Sequence, residues 1–149
     1  MNKLISIYIN NGVSLFEQGE NTVIIPIELF NDIIDILENL NLFMIDQDTS
    51  VKGCFVDFFG RKTFTPLGAS RLAADTDAAI LPMAMKQIGI KKYKFTIYRP
   101  LEMVKTNNKE NDLIVNTQIQ SDAIEQIIRE NPTQWVWMHR RWKTRPAGE

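Results

Sequence analysis

Apolar positions along the chain come in short clusters separated by polar turns, and their spacing changes from one segment to the next. In residues 27–40, Leu29, Phe30, Ile33, Ile34, Ile36, Leu37 and Leu40 recur at helical intervals. Asp32, Asp35 and Glu38 take the other face, so this stretch reads as an amphipathic helix. Residues 22–25 are all β-branched and stop at Pro26, which predicts a strand. Residues 2–11 fit a helix or a strand equally well and end at Gly12. Residues 42–45 form a short apolar run that reads as a buried strand, and residues 54–59 form another, halted at Gly60. Pro66 suits the first turn of a helix running to about Thr76, with Thr65 as its cap. Residues 78–85 and 93–98 predict two more strands separated by a turn around Gly89. Residues 112–130 predict a last helix, whose stripe is Ala123, Ile124, Ile127 and Ile128 and whose stop is Asn131-Pro132.

Strands and helices that alternate in this way belong to the α/β class, and a central mixed sheet flanked by helices buries these apolar faces best. No repeat, low-complexity tract or Pro/Gly/Ser-rich linker divides the chain, so residues 1–149 read as a single domain. At 149 residues and 44% hydrophobic content it is long enough for a substantial core.

Charge narrows the picture. Seventeen Lys and Arg against 18 Asp and Glu give a net charge of −1, which excludes a surface built throughout for a polyanion. Any anion site is therefore local, and the one basic concentration is Arg140, Arg141, Lys143 and Arg145. The single cysteine, Cys54, cannot make an internal disulfide, which suits a reducing, cytoplasmic compartment. It sits in the run Cys54-Phe55-Val56 and reads as buried filler more readily than as a nucleophile. No apolar run approaches the roughly 20 residues that span a bilayer. One His, one Cys and dispersed carboxylates offer no metal site, no glycine-rich nucleotide loop is present, and no cofactor is expected.

Four local features carry chemistry. Asp46-Gln47-Asp48 follows an apolar run, and ligands of α/β proteins bind beyond the carboxyl ends of strands, which makes Asp46 and Gln47 site candidates; a turn capped by Asp is the competing reading. Phe58-Phe59-Gly60-Arg61 sets paired aromatics before a glycine and a cation, where core packing and a solvated Arg61 are the plainer alternative. Ala79-Ile80-Leu81-Pro82 reads as a strand that ends at proline. In residues 135–146 three tryptophans interleave with four cations. That composition suits an anionic lipid surface or single-stranded nucleic acid, and equally a C-terminal segment whose tryptophans fill the core.

Taken in order, these blocks resemble the lipid A biosynthesis lauroyl and myristoyl acyltransferases. The resemblance runs through Asp46-Gln47, Phe55-Val56-Asp57-Phe58-Phe59-Gly60, residues 65–73 and residues 78–82. It continues through Asn131-Pro132-Thr133-Gln134-Trp135 to His139-Arg140-Arg141-Trp142-Lys143-Thr144-Arg145-Pro146, the most telling block. It implies a fold like that of glycerolipid acyltransferases at the cytoplasmic face of the inner membrane, held there peripherally. It also implies transfer of an acyl chain, lauroyl in the closest sense of the resemblance, from acyl-carrier protein to a Kdo-bearing lipid A precursor. The substrate-binding residues it suggests are Asp46, Gln47, Arg61, Arg140, Arg141, Lys143 and Arg145. Such enzymes use a His, four arbitrary residues and then Asp or Glu, the His serving as general base. The sole histidine here is His139, and Thr144 stands five residues on, so no residue of the chain is assigned as the catalytic base. The chain accordingly reads as the C-terminal part of such an enzyme, truncated or partnered by a separately encoded N-terminal half. A catalytically inactive module that binds anionic lipid or nucleic acid through its tail is the alternative, with nucleic acid the less expected partner at this net charge.

Overall fold

The computed structural model describes residues 22–26, 43–48, 50–90, 92–138 and 140–148. The segment at 2–11, the helix expected over 27–40, Leu42 and His139 lie outside the described residues. The described elements are β1 (Thr22–Pro26), β2 (Gly53–Phe58), β3 (Arg61–Pro66), α1 (Gly68–Thr76), β4 (Met83–Gly89), β5 (Lys92–Ile97) and α2 (Lys109–Glu130). A 3-10 turn, Pro132–Gln134, follows α2. Helices and strands mix as in an α/β protein. The described strands form two antiparallel groups, β1-β5-β4 and the hairpin β2-β3.

The hairpin closes through Phe59 and Gly60, both at positive φ (52° and 73°), between the paired residues Phe58 and Arg61. Two central residues of this kind match the twist of an antiparallel pair, and an aromatic residue is an unusual occupant of the first position. Strand β3 was absent from the expected elements, and its presence shifts the helix start toward the C-terminus. Thr65 and Pro66 belong to β3, α1 begins at Gly68, and the residue at its N-cap is Leu67, with no side-chain cap. Thr65 points inward and is fully buried. The strand expected over 78–85 starts only at Met83. Pro82 has no N–H to donate to a ladder, but the carbonyls of Pro82 and Ile80 accept from Tyr98 and Leu101, so the pairing continues irregularly. Residues 43–45 are irregular, with Phe43 and Met44 exposed, and do not form the buried strand expected there. The ring of Phe43 instead lies against Gly68, where a Cβ would come within 2.9 Å of it.

Helix α2 starts at Lys109, ahead of the expected boundary, because Asn108 accepts the Asn111 N–H and Asp112 accepts both the N–H and the hydroxyl of Thr106. Its buried face is largely polar: Asn116, Thr117, Gln120 and Ser121 are all buried. Between α1 and α2 the donors run in one direction. Gln120 Nε2 donates to Ser70 Oγ (2.6 Å), Ser70 pairs with Thr117 Oγ1 (2.7 Å), and Thr117 donates to the Leu113 carbonyl (2.7 Å). Cys54 meets the same chain. It is half-buried, and burial pushes its thiol pKa above the ordinary value while a hydrogen bond with Thr117 pulls the other way.

Side-chain amides bracket single backbone residues at three places. Gln118 accepts from the N–H and donates to the carbonyl of Asp57 (2.7 and 3.0 Å), Asn116 does the same for Val104 (2.7 and 2.9 Å), and Gln134 for Gln87 (3.2 and 3.1 Å). At Asp57 and Gln87 the amide stands in for a neighbouring strand on a sheet edge, and at Val104 it satisfies the backbone of an irregular segment.

Replacing Thr117 by Val keeps the shape but removes the acceptor of Ser70. The expected cost is about 1–3 kcal/mol, the usual penalty for stranding a buried polar group, read from urea unfolding. Alkylation of Cys54 is expected to be slower in the folded chain at pH 8 than in denaturant, because the raised pKa leaves less thiolate. The difference shrinks as pH rises through the folded pKa; equal rates at pH 8 would show that burial does not protect the thiol.

Candidate functional site

Residues 135–138 and 140–146 lie across the β2-β3 hairpin and back onto the loop at 46–48. The centre of this contact is Arg141, whose side chain is 1% exposed. It donates to the Phe64 carbonyl and to Thr65 Oγ1 (both 2.6 Å), and its own carbonyl accepts from Thr63 Oγ1 (2.6 Å). The guanidinium also lies over the Phe58 ring, 5.1 Å from its centroid. Burial pushes the Arg141 pKa below the ordinary arginine value, and Asp46 and Asp48 oppose that shift. Its Nε alone has no hydrogen-bond partner among the described residues.

The acidic loop is tied to the tail on either side of this arginine. Trp135 Nε1 donates to Asp46 Oδ2 (2.9 Å), and Thr144 donates to Asp48 through its N–H (2.6 Å) and its hydroxyl (3.0 Å). Asp46 therefore anchors an indole from the other end of the sequence, and among the described residues it caps no local turn. Among the described residues, Gln47 reaches only Met44 Sδ, at 3.9 Å.

Around Arg141 the aromatic rings interlock. Phe58 meets Trp135 and Trp142 (both 5.8 Å between centroids), Phe59 meets Trp137 (5.6 Å), and Trp135 meets Trp137 edge-on (4.6 Å). Arg61, exposed at the hairpin, lies 5.9 Å from the Trp142 ring. On the far side Arg129 lies 4.7 Å over the Phe59 ring and pairs with Glu125, which also accepts the Phe59 N–H. Those two contacts hold Phe59 in its positive-φ turn.

The structure thus brings Asp46, Arg61 and Arg141 to one aromatic cluster and leaves Gln47 beside it. The four cations of the tail separate. Arg141 is buried, Arg140 and Lys143 are exposed, and Arg145 donates to the Lys62 carbonyl (3.3 Å). Sequence reasoning passed over Asp48, Thr63, Thr144 and the Glu125-Arg129 pair as site residues and gave Thr65 the role of a helix cap. The alternation Thr63-x-Thr65 was the one usable signal, since β-branched residues at period two mark a strand face.

A second feature is an apolar cavity of about 130 Å³ lined by Phe43, Ile45, Ala69, Ile80, Leu81, Pro82, Met83, Leu101, Ile124 and Gln120. Ile45 forms part of its wall, and Asp46 and Gln47 follow directly in the chain. Among the described residues no helix is long and apolar enough to cross a membrane.

With apolar walls and a volume below the roughly 300 Å³ at which small-molecule pockets usually begin, the cavity is a small hydrophobic recess in a mixed helix and strand domain. The chain belongs to the family of bacterial lipid A biosynthesis acyltransferases, whose family model matches residues 12–144. It is similar to the phosphatidylinositol mannoside acyltransferase of Mycobacterium tuberculosis, 31% identical over 99 residues, which cover 66% of this chain and 29% of that protein. It is also similar to the lipid A biosynthesis palmitoleoyltransferase of Escherichia coli K12, 33% identical over 110 residues, which cover 72% of this chain and 34% of the relative. The chain therefore spans about a third of the length of these relatives.

The two adjacent arginines are expected to behave oppositely. Arg141→Met strands the Phe64 carbonyl and Thr65 hydroxyl and should cost about 2–4 kcal/mol in chemical denaturation. Arg140→Gln, on an exposed side chain, should stay within about 0.5 kcal/mol of the parent.

Proposed function

We propose that this chain is the C-terminal part of an acyltransferase that moves a fatty acyl group from acyl-carrier protein to a hydroxyl of a lipid A precursor. The observation that carries the reading is the family match over residues 12–144. A glycerolipid acyltransferase-like central sheet is the fold proposed for the whole enzyme, with the two antiparallel groups of strands as parts of it. The acceptor is a Kdo-bearing glycolipid and the donor chain is lauroyl. The relatives named for palmitoleoyl transfer and for a phosphatidylinositol mannoside support acyl transfer to a glycolipid as the common chemistry. The enzyme works at the cytoplasmic face of the inner membrane, attached peripherally.

In this reading Asp46, Gln47 and Arg61 shape the acceptor side of the site, and the exposed Arg140 and Lys143, together with Arg145, meet phosphate or headgroup. Arg141 acts from inside, by holding the tail on β3. The acid and base come from a His-x4-Asp/Glu motif of the kind the family uses, and within residues 1–149 the position five residues after His139 is Thr144, which cannot play the acid.

Residues 1–149 alone are expected to show no transfer from acyl-carrier protein above background, because loss of a positioned general base forfeits roughly 10²–10⁴-fold in rate. Mixed with or joined to the part of a relative that bears the His-x4-Asp/Glu motif, the chain should restore transfer to a lipid A precursor. Asp46→Asn in that assembly keeps an acceptor for Trp135 and is expected to lower turnover with little change in Tm. Transfer by residues 1–149 alone would place the base within them, and failure of the assembly on every lipid A-type acceptor would overturn the proposal.

A further inference from the structure

The 135–146 segment has two faces, and only the inner one is used by the contacts to β3 and the acidic loop. On the outer face three consecutive large apolar side chains stand in solvent: Val136 is 60% exposed, Trp137 48% and Met138 89%. The middle one, Trp137, is fixed in place. Trp137 N donates to the Trp135 carbonyl (3.0 Å), and Trp137 Nε1 donates to the Pro132 carbonyl. The Trp137 ring is wedged against Trp135 and Phe59. The turn is thus fixed from below by the aromatic cluster while its tip stays bare.

Two exposed cations follow the tip in the chain, and two more border the aromatic cluster beneath it. Arg140 and Lys143 are exposed and share a turn, with Lys143 N donating to the Arg140 carbonyl (3.1 Å). Arg61 borders the cluster at Trp142, and Arg129 borders it at Phe59. Three nearby acids are engaged inward, Asp46 by Trp135, Asp48 by Thr144, and Glu125 by Arg129 and the Phe59 N–H, while Asp57 is paired with Lys62 and Glu130 is exposed. An apolar tip in a basic rim fits one kind of partner well, a surface with anionic headgroups above an acyl layer. The indole sits at such a boundary, and cations hold the headgroups.

We infer that the Val136-Trp137-Met138 turn is a membrane-inserting wedge, with Arg140 and Lys143 as its headgroup contacts, and that it docks the domain on anionic lipid. The inference rests on the proposed membrane-facing role and names the surface that does the work. Its occupant is a lipid bilayer carrying phosphatidylglycerol. Nucleic acid fits less well, because the tip offers one exposed indole and two aliphatic side chains where a strand of bases needs a row of rings. The wedge is already ordered in the free chain, so binding adds little loss of conformational freedom.

Co-sedimentation of the 149-residue chain with vesicles tests this without any acyl transfer, so its failure is separate from that of the enzymatic proposal. The chain is expected to bind vesicles of phosphatidylcholine with phosphatidylglycerol, to bind pure phosphatidylcholine far less, and to be released as salt rises from about 0.1 to 1 M. Val136→Ser with Met138→Ser should weaken binding by at least about tenfold with Tm unchanged. Arg140→Gln with Lys143→Gln should weaken it about 30-fold and flatten the salt dependence. Ile90→Ser, at a 91% exposed apolar residue on a different turn, should leave binding as it was. No vesicle binding by the parent chain, an equal loss in Ile90→Ser, or tight retention of a single-stranded oligonucleotide with vesicles ignored would each overturn the inference.

Discussion

Arg141 is the constraint on which the described part of the molecule depends. Taking a guanidinium out of water costs several kcal/mol, and that cost is met only where its donors find fixed acceptors. Here the acceptors are on β3, the Phe64 carbonyl and Thr65 Oγ1, while Thr63 returns a bond to the Arg141 carbonyl. A charge held this way fixes both the register of the C-terminal segment and its direction across the hairpin. Once Arg141 is seated, Trp135 and Trp142 fall on Phe58, and Trp135 and Thr144 reach the carboxylates that face the buried charge. The loop at 46–48 is therefore positioned by residues far away in sequence.

The same reliance on directed polar contacts explains how small sheets persist here. A two-stranded hairpin is marginal alone. The free side of β2 is covered by α2, where Gln118 brackets Asp57, Ser121 donates to the Asp57 carbonyl and Glu125 takes the Phe59 N–H. Apolar burial alone does not account for this interface, since much of the buried face of α2 is Asn, Thr, Gln and Ser. A fully satisfied polar interface fixes one register, because any slip leaves several groups unpaired at once.

That preference sets what was legible in the sequence. The strands ending at Phe58 and at 92–97 follow ordinary apolar patterning, and helix α2 was readable from the Ala123-Ile124-Ile127-Ile128 stripe of its C-terminal half although its buried face is largely polar; boundaries were displaced by a few residues. Strand β3 was not, because Arg-Lys-Thr-Phe-Thr-Pro buries its threonines while Phe64 is only half-buried, inverting the usual rule that apolar side chains face in. The threonines are tolerated inside because a segment 76 to 78 residues later supplies their partners. Displacement of α1 has the same origin, as Thr65 and Pro66 resemble a helix start when β3 is not seen. For the candidate site, Asp46 and the basic tail were visible as separate chemical features, but their meeting through Trp135 was not, since no local spacing encodes a contact across 89 residues.

Composition also made the tail look like one basic block, whereas the fold divides it. A cation sunk among backbone acceptors contributes through desolvated hydrogen bonds and is weakly sensitive to salt, while an exposed one acts at long range and is screened within about 10 Å at 0.1 M salt. Arg141 belongs to the first kind and its neighbour Arg140 to the second, although one peptide bond separates them. The tryptophans divide similarly: the indole N–H of Trp135 is bound to Asp46, and Trp137 stands half in solvent. One short segment can thus be both a structural strap and a surface, because residues that face the hairpin are fixed by geometry and those that face away remain free to meet a partner. The outer turn is held through Trp137, bonded to the Pro132 carbonyl and set against Trp135 and Phe59, while Val136 and Met138 on either side of it stay exposed.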